Sequence, residues 1–128
     1  MNALELFNYT IGIAGIEPNN AQNFLPTYLP QLNIVMAETF KLENNNRLYK
    51  GLVVLDAIPL MTALTDTIPY QDNLVRNVLP FGILTYLQLA DDEVVKTGFY
   101  QSRYADNLRL EGKLIPVDIE DYYGGTDE

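Results

Sequence analysis

Cysteine, histidine and tryptophan are all absent from this chain. Without cysteine there is no disulfide framework, no thiolate metal site and no thiol nucleophile. Without histidine the commonest general base and the commonest transition-metal ligand are missing, which leaves carboxylates, lysines and tyrosines for any acid–base chemistry. No apolar run approaches the roughly 18–20 residues of a membrane span. Basic residues are few, 8 against 17 acids, for a formal charge of −9. They are scattered from Lys41 to Lys113 and form no patch. A surface of that sign repels nucleic acid instead of neutralising its phosphates. These absences favour a protein that binds over one that catalyses.

What is present is a globular composition. With 128 residues and 48% apolar side chains, the chain is long enough for one modest core and one domain. The opening MNALELFNYT carries Glu5 and no base, which argues against a secretory signal and for a soluble, cytoplasmic protein.

The periodicity is helical over most of the length. Leu4, Phe7, Ile11 and Ala14 recur at spacings of three and four, predicting a helix over Ala3 to Ala14. IEPNN reads as a turn, and Gly12–Gly15 lacks the setting of a phosphate-binding loop and reads as a frayed helix end. A second stripe (Leu25, Tyr28, Leu29, Leu32, Val35, Met36, Thr39, Phe40) predicts regular helix from about Gln31 to Leu42, after an irregular start at Pro26 and Pro30. The asparagines of ENNNR should end it, since they favour turns. From Leu48 to Thr67 the helical period disappears, so an extended loop or short hairpin is expected there, anchored by Leu60, Met61 and Leu64. A third helix opens at Asp66 or Tyr70 and continues to Ala90. Leu79, Ile83, Tyr86 and Leu87 belong to a face so wide that it must be buried in the core or against a neighbouring subunit. Pro80 should kink it, and Gly82 allows another helix to approach. The fourth helix starts at the acids Asp91, Asp92 and Glu93 and ends near Leu110, with Val94, Val95, Gly98, Phe99, Ser102, Ala105 and Leu108 expected to face inwards. The fold expected is therefore mainly α: a small bundle of about four helices over residues 1–110, with an extended C-terminal arm over 111–128. Leu114, Ile115, Val117, Ile119, Tyr122 and Tyr123 in the arm are more apolar than a solvated tail needs, which makes them candidate partner-binding residues.

Asp91, Asp92 and Glu93 stand where a carboxylate metal site is one reading and helix capping another. A metal site needs further ligands converging from elsewhere, and nothing in the sequence points to them. Asp91 as a helix cap, its side chain accepting an orphaned backbone N–H for about 1 kcal/mol, is the reading preferred. No metal and no cofactor is expected.

The stretch LTDTIPYQDNLVRNVLPFGILTYLQLADDEVVKTGFYQSRYADNLR resembles the C-terminal half of the head–tail connector (adaptor) proteins of tailed bacteriophages. The positions that carry the resemblance are Asp66, Ile68, Pro69, Leu74, Leu79, Gly82, Leu87, Asp91, Asp92, Phe99, Tyr100 and Tyr104. LPQLNIVMAETFKLENNNR, with Glu38 and its asparagines, is similar to the family's first long helix. The likeness spans residues 20 to 110; Pro26, Pro30, Pro80 and the non-helical tail depart from it. It implies a structural virion protein without turnover. Such adaptors form a ring, commonly of twelve copies, on the portal of the filled capsid, and offer a platform to the next connector or tail-completion protein. The implied partners are other copies of the chain, the portal and that tail-side protein, with DNA only as passing cargo and no membrane. The implied location is the neck of the virion, reached from the host cytoplasm during assembly. Two other classes stay open beside it: a soluble acidic regulator or inhibitor that mimics DNA charge, and a small metal-dependent hydrolase built on Asp91, Asp92 and Glu93.

Overall fold

A computed structural model describes residues 1–112. They form a mainly helical bundle: α1 (Ala3–Ala14), α2 (Pro18–Ala21), a 3-10 turn (Gln22–Phe24), α3 (Leu25–Tyr49), α4 (Asp72–Asn77), α5 (Leu79–Ala90) and α6 (Val94–Gly112). Among the described residues there is no strand, only one isolated bridge between Asn2 and Thr67. The expected arm and its six candidate residues, Leu114, Ile115, Val117, Ile119, Tyr122 and Tyr123, lie outside the described residues, while Glu111 and Gly112 belong to α6.

α1 forms where the spacing predicts it. Asn2 and Glu5 start it with a reciprocal capping box, each side chain bonded to the other's backbone N–H at 2.8 Å. The next amides are also satisfied, since Ala3 and Leu4 donate to the carbonyls of Asp66 and Leu64 at 3.0 and 2.9 Å. The start of α1 is thereby pinned to the extended segment.

α3 is the axis of the molecule and is longer at both ends than the sequence suggests. Pro26 falls in its first turn, where a missing N–H costs nothing, and Pro30 is accommodated inside it. The asparagines do not end it. Asn44 and Asn46 both lie within its last turns, and the turn preference of Asn44 is overridden because the neighbouring segment uses its side chain. α3 stops instead at Gly51, which takes φ 74° while Gly51 N and Leu52 N close on the carbonyls of Leu48 and Arg47.

The third predicted helix divides in two. α4 begins only at Asp72, and the chain breaks at Val78 (φ −119°, ψ −54°) so that Pro80 falls in the first turn of α5. Proline is stable there, whereas within one continuous helix it would cost roughly 3 kcal/mol. α5 then fills the centre: Leu79, Ile83, Leu84 and Leu87 are fully buried, packed against α1, α3, α4 and α6.

Candidate interaction site

Two surfaces border α3, one on each flank. On one flank runs the extended segment from Gly51 to Thr65. Asn33 holds it by accepting from Met61 N at 2.8 Å and donating to Met61 O at 3.0 Å. Asn44 does the same for Leu55 at 2.8 and 3.0 Å. Arg47 adds Nη1 to the Val53 carbonyl at 3.0 Å and Nη2 to the Pro69 carbonyl at 2.6 Å. Its Nε pairs at 2.6 Å with Glu43, a carboxylate wholly removed from solvent that also accepts from Gln71 N at 3.1 Å. The backbone of a segment without a ladder is thus satisfied by side chains of a helix. Met61 is buried and Leu64 partly so, as expected of anchors. Leu60 is not an anchor: it is 69% exposed, because the two asparagines fix the segment at Leu55 and Met61 and leave Leu60 on the outer side.

On the other flank lies α6. Its inward side chains are Tyr100, Tyr104 and Leu108, and no α6 residue is fully buried. Tyr104 crosses over Gly82, where an added Cβ would stand 2.8 Å from the Tyr104 ring and 2.7 Å from Val35. Glu38 of α3 ties this flank together. Its carboxylate accepts the Tyr104 hydroxyl at 2.8 Å and the Tyr86 hydroxyl from α5. The bond to Glu38, together with burial, pushes the Tyr86 hydroxyl up to about 12. Burial first and the same carboxylate second raise Tyr104 well above the ordinary phenol range. At the far end Glu111 accepts from Asn73 at 2.6 Å and, at 3.4 Å, from Asn77.

Of the inward face expected of α6, Leu108 does pack against the core, but Val94, Val95, Gly98, Phe99, Ser102 and Ala105 are exposed. Val94 and Val95 are 81% and 85% exposed, and Phe99, expected to pack in the core or at a subunit contact, is 55% exposed. The reason is physical: tyrosines can bury a ring while their hydroxyls reach a carboxylate, so the tyrosine stripe faces in and the valines face out. The other packing residues lie as expected, with Leu79, Ile83 and Leu87 buried and Tyr86 partly so.

The acidic triplet is a cap, on a different helix end. Asp91 is the C-cap that follows Ala90, Asp92 takes the left-handed conformation at φ 57°, and the amides of Asp92 and Glu93 return to the carbonyls of Leu89 and Gln88 at 3.2 and 2.9 Å. This is the Schellman closure, with an aspartate in the place usually taken by glycine. Asp91 thus caps α5 through its backbone N–H; its side chain makes no bond to the first turn of α6 among the described residues. The position before α6 is Glu93, whose carbonyl accepts from Thr97 N at 2.8 Å. Among the described residues no group of three or more acids is placed to hold a metal ion.

Clefts open on the described surface. One, about 620 Å³, lies between the α1–α3 connection and the α5–α6 turn, with Asn20, Asn23, Gln88 and Lys96 in its lining. A second, about 400 Å³, carries Arg76 and Arg103, each over an aromatic ring. Another, about 260 Å³, lies along α6 between Leu89, Val94, Gly98 and Gln101. No described helix is long and apolar enough to cross a membrane. Compared with protein-family models, curated proteins and solved structures, the chain matches none.

Proposed function

We propose that this chain is a structural subunit of a phage neck. It forms a ring with other copies of itself between the portal of a filled capsid and the next connector or tail-completion protein, and leaves a channel for DNA. One observation carries the reading: Glu38, Gly82 and Tyr104, which bear the sequence resemblance from three separate regions, come together where α3, α5 and α6 meet. The elements also follow in the order the resemblance implies: a long helix with asparagines near its end, an extended insert, an apolar helix with a glycine, an acidic turn, and a helix dotted with tyrosines. The net charge of −9 suits a passage that must not hold DNA, because like charges repel the phosphates. In this reading the chain has no turnover and no cofactor, its work is done in the virion, and it assembles in the host cytoplasm.

The test is co-sedimentation with the portal ring encoded in the same genome, using the full chain and a chain ending at Gly112. Stoichiometric binding of the full chain is expected. Binding of the full chain alone assigns the portal contact to the arm, with Leu114, Ile115, Val117, Ile119, Tyr122 and Tyr123. Binding of both assigns it to the helices. Binding of neither, at low and at high salt, overturns the reading.

A further inference from the structure

α3 runs on past the end of α6. Glu38 accepts from Tyr104, and a Cβ added to Gly112 would stand 3.8 Å from Leu42 Cδ1. The two helices therefore advance in the same sense, and α6 ends beside Leu42 while α3 continues to Tyr49. Asn46 and Tyr49 stand four and seven residues after Leu42, on the same side of the helix. Tyr49 is 51% exposed there.

Asn46 is the anomaly on this side. It is 2% exposed, and neither its amide oxygen nor its amide nitrogen has a hydrogen-bond partner among the described residues. A carboxamide buried unmet is destabilising, and a leucine would serve packing better. The other asparagines of α3 show what such a side chain does. Asn33 takes the N–H and the carbonyl of Met61, and Asn44 takes both groups of Leu55. Asn46 offers the same acceptor and donor, about 160° round the helix from Asn44 and so turned away from the segment.

What meets Asn46 comes from the chain itself. A side chain already shut off from solvent is not met by a partner arriving from outside, whereas the chain that leaves α6 starts beside it. Asn46 is one helical turn, about 6 Å, beyond Leu42, and two extended residues after Gly112 cover that distance at roughly 3.3 Å each. The second of them is Leu114. Tyr49 lies nearly a turn further on, within reach of Ile115, an apolar side chain suited to its half-exposed ring.

We propose that the root of the arm, residues 113–116, docks along the last two turns of α3, with Asn46 bonded to the N–H and carbonyl of Leu114 and with Ile115 laid over Tyr49. α3 then holds two stretches of its own chain by one device, asparagines on different sides. The anchor leaves Val117, Ile119, Tyr122 and Tyr123 to a partner and fixes the point from which they start. The inference goes beyond the ring reading and stands without it.

Hydrogen exchange of the full chain, followed by NMR at single amides, tests it. The Leu114 amide is expected to exchange about tenfold or more slower than an unstructured amide. Asn46→Leu, which keeps the branched shape and removes both polar atoms, should restore the unprotected rate while the Leu55 and Met61 amides keep theirs. An unprotected Leu114 in the parent overturns the proposal. So does protection that survives Asn46→Leu, which assigns the bonds of Asn46 to a buried water. Contacts between the Tyr49 ring and the Ile115 methyl groups are read in a mixture of labelled and unlabelled chains. Contacts within one chain are expected, and contacts only between chains overturn the docking in favour of a second copy's arm. Should Asn46→Leu fail to fold, Leu114→Pro removes the N–H from the arm instead and leaves the helices untouched. Loss of the Tyr49–Ile115 contact is then expected, and its persistence overturns the proposal.

Discussion

The two flanks of α3 hold their neighbours by different means. The Gly51–Thr65 segment has no helix or ladder of its own, so Asn33, Asn44 and Arg47 supply bonds to its backbone, while Glu43 holds Arg47 and accepts from Gln71 N beyond the segment. α6 satisfies its own backbone, and its flank needs only packing by Tyr100, Tyr104 and Leu108 with bonds from Glu38 and Glu111 at two points. An irregular segment becomes rigid only if its polar groups are met from outside. A helix can be attached loosely, by one face, and keep the other for a partner.

The comparison breaks most severely at Glu43. Glu43→Ala should cost about 3–5 kcal/mol, because Arg47 is left without its partner in the interior; urea unfolding measures it. The same flank weakens at Asn44→Ala, which leaves the Leu55 N–H and carbonyl unmet at a cost of about 1–3 kcal/mol. The expected signature is faster hydrogen exchange confined to the segment, and unchanged exchange there would remove the asparagine from this role.

On the α6 flank the effects are smaller. Gly82→Ala gains roughly 1 kcal/mol of helix propensity but meets Val35 and the Tyr104 ring, at a strain of about 1–3 kcal/mol. A net loss on the order of 1 kcal/mol is expected, with α6 displaced before the core yields. Glu38→Gln should cost about 1 kcal/mol, and it carries a pH signature. Tyr86 is raised from 10.0 to about 12 by its bond to Glu38 and by burial. Its contribution is therefore complete below about pH 10 and lost as the pH rises towards about 12. Glu38→Gln should move the Tyr86 titration, followed by phenolate absorbance, down towards 10.0. An unmoved titration would assign the shift to burial alone. Smallest of all, Val95→Asp should leave stability within about 0.5 kcal/mol, because the side chain is 85% exposed, as read by urea unfolding.

Much of the architecture was legible in the chain. The spacing of Leu4, Phe7, Ile11 and Ala14 marks α1, and the apolar excess from Leu79 to Leu87 marks a buried helix. A capping box was readable too, from Asn2 and Glu5 three residues apart, although composition alone drew attention elsewhere. The α6 face was not legible, because apolar character predicts burial only when nothing amphipathic competes for the inner side. Here Tyr100 and Tyr104 win that side through Glu38, a residue 66 positions before Tyr104. The asparagines after Leu42 misled for a similar reason. Their local preference for turns is worth less than the bonds Asn44 makes to Leu55, eleven residues on.

What the sequence by itself determined is local: the helical period, the breaks at glycine and proline, and an acidic triplet at the junction of two helices. Without cysteine or histidine it also excludes whole classes of chemistry. Tertiary structure alone decided which face of α6 is inner, and where α3 stops serving itself and begins serving a neighbour. The physical reason is one of range. Periodicity and capping depend on residues within a turn or two, whereas the choice between a tyrosine and a valine for the interior depends on a carboxylate that only the fold brings near.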